Sequence, residues 1–192
     1  MWVPTLLSMD PPGGLPTGCV FSAMMMAITI GGVLYPPLQS FFTTYIISKS
    51  KAPELLASFI YLLAAISMAI CSSCLGTGGI TGGPELFSLC FGKVIVGFMV
   101  VECCVGLFMP VAGTLRSKHV PDSLQGAILN IFRLPLNAVV VSGTYATDIM
   151  PAATVFQLVS GCFLAASLLQ ASMIFDSSPS PTSPTAAAKK RD

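Results

Sequence analysis

Five long apolar stretches constrain this chain more than any other feature of its sequence. A helix rises about 1.5 Å per residue, so about 20 largely apolar residues are needed to cross roughly 30 Å of hydrocarbon. The five stretches cover approximately residues 17–38, 55–75, 85–111, 125–145 and 152–174. The sequence therefore predicts an all-α membrane protein with five full transmembrane helices in contact with the lipid bilayer.

The composition supports this class and excludes others. Hydrophobic residues make up 54% of the chain and charged residues only 9%, whereas soluble domains carry about 25% charged residues. The formal net charge is +1, and no basic stripe with interleaved aromatic residues is present, which argues against a nucleic-acid partner. No motif combines a nucleophile, a base and an orienting group, so we predict no enzyme, no catalytic residues and no cofactor.

The cysteines raise the question of a metal or redox site. Cys71 and Cys74 form a C-x-x-C pair, but a zinc site would need a second ligand pair and a redox motif would need a βαβ unit. The sequence has neither. All seven cysteines lie in apolar segments, where a free cysteine behaves as a small hydrophobic residue. We therefore predict no metal site and no disulfide framework.

The two ends of the chain differ from the middle. Residues 1–16 are predicted to hold the end of a truncated helix and an outer loop, and residues 17–174 the five-helix transmembrane domain. Pro36 and Pro37 are predicted to end the first of the five helices. Residues 175–192 are rich in Ser, Pro and Thr and are predicted to be a disordered tail.

Basic residues predict the orientation. They fall in alternate connections and in the tail: Lys49 and Lys51, then Arg116 and Lys118, then Lys189, Lys190 and Arg191. Because short cytoplasmic loops carry an excess of Lys and Arg, the C-terminus is predicted to be cytoplasmic. His119 is predicted to lie in one of these loops as a solvated side chain.

Three ionisable residues lie inside the predicted spans, namely Lys93, Glu102 and Arg133. Such residues normally face a bundle interior or a water-filled cavity. Glu102 and Arg133 lie roughly 13 Å and 12 Å from the cytoplasmic ends of adjacent antiparallel helices. We therefore predict an ion pair, which would relieve part of the cost of each charge. The pair could lock two helices together, or Arg133 could face the pathway and attract an anion while Glu102 either sets the position of Arg133 or exchanges for it.

Lys93 lies on a different face of the predicted helix. It precedes Glu102 by nine residues, which at about 100° per residue places the two side chains on nearly opposite faces. Two interpretations of Lys93 stay open. It could contribute to binding a substrate, or its long side chain could extend to the outer interface.

Asn130 and Asn137 extend the polar face around Arg133. They stand three residues before and four residues after it, so all three side chains project from one side of a helix. Pro135 lies between them and is predicted to kink the helix, as Pro110 is in the preceding one. Irregular helices beside a charge are typical of transporter binding sites.

These blocks resemble a known family. ECCVGLFMP (Glu102–Pro110), GTLR (Gly113–Arg116) and NIFRLPLN (Asn130–Asn137) are similar to the C-terminal half of the molybdate-anion transporter family of the major facilitator superfamily. The resemblance implies a fold of two six-helix halves around a central site, both termini in the cytoplasm, and uptake of molybdate or a similar oxyanion. Arg133 and Glu102 match the family's blocks and Lys93 does not. Ile131 stands where the family usually has Trp.

The resemblance also implies a missing partner, because this chain supplies only one of the two halves. The partner would be an N-terminal half, and the expected location is the plasma membrane. Two other functions stay open at this point. The chain could carry another solute on the same fold, or it could be a fragment or membrane scaffold that transports nothing.

Overall fold

The computed structural model describes residues 2–9, 13–46, 51–76 and 83–175. These residues form helices and short connections, without a strand among them. The helices are α1 (Trp2–Ser8), α2 (Thr17–Phe41), α3 (Ala52–Gly76), α4 (Gly83–His119), α5 (Gln125–Ile149) and α6 (Ala152–Phe175). Within the described residues, five helices are long and apolar enough to cross a membrane. The prediction of an all-α protein with five such helices is confirmed.

The sequence predicted that the first long helix ends at its paired prolines, and this prediction was wrong. α2 continues past Pro36 and Pro37 and is followed by a π-helical turn, Phe42–Ile46. Proline removes an amide donor but has a backbone angle that fits a helix, and membrane helices tolerate it where other groups compensate. The Phe42 amide is shared between the carbonyls of Leu38 and Gln39. The apolar segment therefore runs to Ile46.

The longest helix, α4, also extends beyond its predicted end. It contains 37 residues, which corresponds to about 55 Å. Arg116, Lys118 and His119 lie in its last turn. The prediction that His119 lies in a loop was therefore wrong, because the polar residues after Val111 continue the helix instead of ending it. The last turn carries positive charge, which the helix dipole favours at this end.

Two helices form the centre of the described fold. α3 packs along α6 and α4, and α4 also packs along α2. One buried cluster lies toward the end of α3 and includes Met24, Cys71, Val94 and Phe156, together with Leu6 of α1. A second cluster lies toward the beginning of α3 and includes Leu56, Ile60, Leu107 and Val111. The core therefore follows α3 and α4 over most of their length.

Glycines allow α2 and α4 to approach closely. A Cβ atom built on Gly31 would lie 2.1 Å from the carbonyl oxygen of Cys103, and one on Gly106 would lie 2.0 Å from the carbonyl oxygen of Ile28. Both positions are occupied by backbone of the facing helix, so a side chain would force the helices apart. Small residues commonly serve this purpose between membrane helices.

Serine hydroxyls join α3 to α6. Ser58 and Ser167 are both buried, and each hydroxyl donates to the other residue's carbonyl oxygen at 2.9 Å. Ser72 donates to the carbonyl of Ala153 at 2.8 Å. Buried hydroxyls must find such partners, because an unsatisfied polar group away from water is costly. The two helices are therefore held by hydrogen bonds as well as by apolar packing.

Candidate functional site

The polar face of α5 carries the residues that the sequence singled out for anion binding. α5 follows a short 3₁₀ turn, Asp122–Leu124, and is also in contact with α6. None of the residues described in α5 is buried. α2, α3, α4 and α6 by contrast all contribute buried residues to the two core clusters or to the α3–α6 contact. Both faces of α5 are therefore largely uncovered by the rest of the described chain.

Arg133, Asn130 and Asn137 are exposed on this helix. Their spacing of three and four residues along a continuous helix places them on one side, as the sequence predicted. Over the described part of the chain, the Arg133 guanidinium takes part in no ion pair. The arrangement therefore presents one full positive charge flanked by two amide groups. A guanidinium has five N–H donors in a planar fork, which suits oxyanion geometry.

Glu102 lies near the middle of α4 and is partly exposed. The structure does not bring its carboxylate into an ion pair with Arg133. The ion pairs among the described residues involve a different carboxylate, that of Glu54. Pairing of Glu102 with Arg133 therefore stays a prediction.

Lys93 is exposed and lines a groove between α3 and α4. Its neighbours in that groove include Ser67 and Ile70 of α3, and no residue of α5 contributes. The structure therefore does not bring Lys93 to the polar face of α5. Its contribution to substrate binding stays a prediction.

Pro110 and Pro135 both lie inside helices that continue past them. α4 extends nine residues beyond Pro110, to His119, and α5 extends to Ile149. Thr114 donates its hydroxyl proton to the carbonyl of Pro110 at 3.0 Å. Neither proline ends its helix, and the kinks predicted at these positions stay predictions.

A cluster that the sequence analysis missed lies at the C-terminal end of α4. Glu54, in the first turn of α3, is 1% exposed. Its Oε1 atom accepts hydrogen bonds from Lys118 and lies 3.1 Å from Nε2 of His119. Its Oε2 atom is buried and has no hydrogen-bond partner among the described residues. The sequence contained a usable signal for this cluster. Glu54 directly follows Pro53 at the beginning of one apolar span, and the basic residues Lys118 and His119 follow the end of the next span.

The described residues contain no group of three or more His, Cys, Asp or Glu side chains suited to hold a metal ion. Cys71, Cys74, Cys90 and Cys104 are buried among apolar side chains. This placement agrees with their interpretation as packing residues.

Comparisons with known proteins bear on the function. The chain is 29% identical over 137 residues to the molybdate-anion transporter of Xenopus tropicalis, and 29% identical over 147 residues to that of Danio rerio. The protein of the same name from Takifugu rubripes is 27% identical over 147 residues. These alignments cover 71% to 76% of this chain. No family model matches the sequence, and no solved structure matches it.

The same alignments cover only 26% of the length of each of these relatives. The chain therefore spans about a quarter of the length of the curated proteins that it matches. Over about three quarters of its length, the chain is similar to proteins named molybdate-anion transporter.

Proposed function

We propose that this chain forms the C-terminal half of a major facilitator carrier that moves an oxyanion, molybdate, across a membrane. One structural observation carries the proposal: Arg133, Asn130 and Asn137 share a side of α5, a helix with no buried residue in its described part. The relatives are named molybdate-anion transporter, and that name supplies the substrate. The proposal includes no catalytic reaction.

The chemistry of the polar face fits a tetrahedral oxyanion. The Arg133 guanidinium supplies charge-assisted hydrogen bonds, which are stronger than those between neutral groups. The amide groups of Asn130 and Asn137 supply further donors from the same side of the helix. An arginine in hydrocarbon costs about 2.5 to 3.5 kcal/mol on insertion scales, so such residues normally face a cavity. A water-filled path between two halves would provide that cavity.

A second half would complete the path. Carriers of this kind enclose their substrate between two halves and rock them around a fixed site. The uncovered α5 would then face an N-terminal half, supplied by further sequence of the same protein or by another chain. Glu102 would approach Arg133 in the assembled carrier and hold it when the anion leaves. We place this carrier in the plasma membrane with the C-terminus in the cytoplasm.

Molybdate uptake tests the proposal directly. Cells lacking their own carrier would express this chain alone, this chain with the N-terminal half of the Danio rerio relative, and the same pair with Arg133→Ala. Equal amounts in the membrane would be verified first. We expect uptake only when both halves are present and Arg133 is intact. Arg133→Lys serves as the matched control, since it keeps the charge and loses the forked geometry.

The outcomes separate the alternative functions. Uptake that excess sulfate, sugar or organic acid abolishes would assign a different solute to the same fold. Lack of uptake in every well-expressed combination would overturn the proposal and favour a scaffold without transport. Uptake that does not change with Arg133→Ala would overturn the anion-binding role of the α5 face.

A further inference from the structure

A groove of about 620 Å³ runs between α3 and α4, away from the polar face of α5. Ser67 and Ile70 of α3 form one wall. Residues of successive turns of α4, including Lys93 and Val96, form the other. Leu89, Val96 and Ile70 line the groove and are exposed on the described helix bundle, and exposed apolar side chains of membrane helices meet lipid. The occupant of the groove would therefore come from the bilayer.

The position of Lys93 along α4 places it near a membrane boundary. Arg116, in the last turn of the helix, follows Lys93 by 23 residues. This spacing corresponds to about 35 Å of helix, close to the roughly 30 Å thickness of the hydrocarbon core. With Arg116 at one boundary, the Lys93 ammonium reaches the opposite one.

The charge distribution in the groove is amphipathic. Among the residues whose side chains the structure describes, Lys93 is the one charged side chain lining the groove, and it takes part in no ion pair with any of them. Below Lys93, toward the membrane centre, Val96 and Val100 line the α4 side and Ile70 lies across from them. The Ser67 hydroxyl already donates to the carbonyl of Leu63 at 2.9 Å. The Lys93 ammonium therefore lies at one end of a largely apolar groove.

Two glycines give the groove its shape. A Cβ atom built on Gly92 would meet no atom within 4 Å, so the groove is open beside it. A Cβ atom on Gly97 would lie 2.5 Å from the Cys71 sulfur, which shows that α3 and α4 touch there. The groove is therefore wide near Lys93 and closes where the helices meet. A flexible acyl chain that enters the groove beside Gly92 would fit this narrowing shape.

We propose that an anionic phospholipid occupies this groove, with its phosphate on the Lys93 ammonium and one acyl chain along Val96 and Val100. The headgroup phosphate supplies the negative charge that Lys93 lacks in the described chain, and the acyl chain fills the apolar part of the groove through van der Waals packing. The proposal is independent of the proposed transport function. In this proposal Lys93 binds a lipid headgroup, whereas Arg133 is the positively charged residue that binds the transported anion.

Native mass spectrometry of the full chain in detergent tests the proposal, with phosphatidylglycerol added as the probe. Phosphatidylcholine with the same acyl chains reports binding without net headgroup charge. We expect one tightly retained phosphatidylglycerol per chain, and roughly fivefold weaker retention in Lys93→Gln. Lys93→Arg should retain the lipid. Gly92→Leu should lose it because the new side chain fills the groove while the charge stays in place.

The controls make each result decisive. Gly113→Leu is the matched control for Gly92→Leu, since a Cβ atom at Gly113 also meets no atom within 4 Å, and it should retain the lipid. Circular dichroism verifies that each variant keeps its helices. Equal retention by the original chain, Lys93→Gln and Gly92→Leu would overturn the proposal. Equal retention of phosphatidylcholine, or displacement of the lipid by inorganic phosphate, would overturn it as well.

Discussion

The Oε1 atom of Glu54 lies 3.1 Å from Nε2 of His119, and the two residues begin and end neighbouring helices. Lys118 donates to the same carboxylate oxygen. The Glu54 side chain is 2% exposed, whereas those of Lys118 and His119 are 31% and 44% exposed. The carboxylate is therefore enclosed while its partners reach water. This cluster ties the beginning of α3 to the end of α4.

The enclosed carboxylate makes Lys118 important for stability. We expect Lys118→Met to lower the free energy of unfolding by about 3 kcal/mol, because it leaves a buried charge without its main partner. The measurement is thermal unfolding in detergent. Arg116→Met is the matched control, since Arg116 lies in the same helical turn outside this cluster, and it should have little effect.

A double variant tests whether the loss comes from the stranded charge. Glu54→Gln with Lys118→Met removes both charges, so we expect it to recover part of the stability lost in Lys118→Met alone. Additive losses from the two substitutions would show that the charges do not act on each other.

Adjacent glycines in α2 should respond differently to the same substitution. Gly31→Ala places a Cβ atom 2.1 Å from the Cys103 carbonyl oxygen, whereas Gly32→Ala places one in open space. We expect Gly31→Ala to cost about 1 to 3 kcal/mol, in the range of overpacked cores. Gly32→Ala should be neutral or stabilising, because alanine favours a helix. Thermal unfolding of the two variants checks this, and equal midpoints would contradict the close approach of α2 and α4.

The paired serines of α3 and α6 should be energetically coupled. We expect Ser58→Ala and Ser167→Ala each to destabilise the protein by about 1 kcal/mol, within the range found between membrane helices. Each substitution removes one of two reciprocal bonds of 2.9 Å. A double-mutant cycle by chemical unfolding measures the coupling. Ser142→Ala is the control, because its hydroxyl bonds within α5 at 2.7 Å.

Arg133→Ala should separate function from stability. Arg133 is exposed on a helix without buried residues, so we expect its removal to change the free energy of unfolding by less than about 0.5 kcal/mol. Under the proposed function, molybdate uptake by the two-half carrier should nevertheless fall at least tenfold. A large loss of stability in this chain alone would instead assign Arg133 to holding helices together.

The sequence by itself determined the five long helices, because the length of an apolar run is a local property set by the thickness of the bilayer. It also determined that Asn130, Arg133 and Asn137 share a side of α5, since helical spacing depends on the chain alone. The ends of the helices were less predictable. Tandem prolines did not stop α2 at Pro37, and polar residues continued α4 to His119.

Only the tertiary structure decided which of these helices meet. Glu54 is buried because the end of α4, 64 residues later, packs over it, and the residues around Glu54 do not by themselves specify that partner. Gly31 and Gly32 are equivalent in sequence, yet one touches α4 and the other faces open space. Lys93 and Glu102 occupy one helix, and the packing of α3 placed Lys93 in a groove. Such choices depend on contacts between distant segments, which local patterns do not encode.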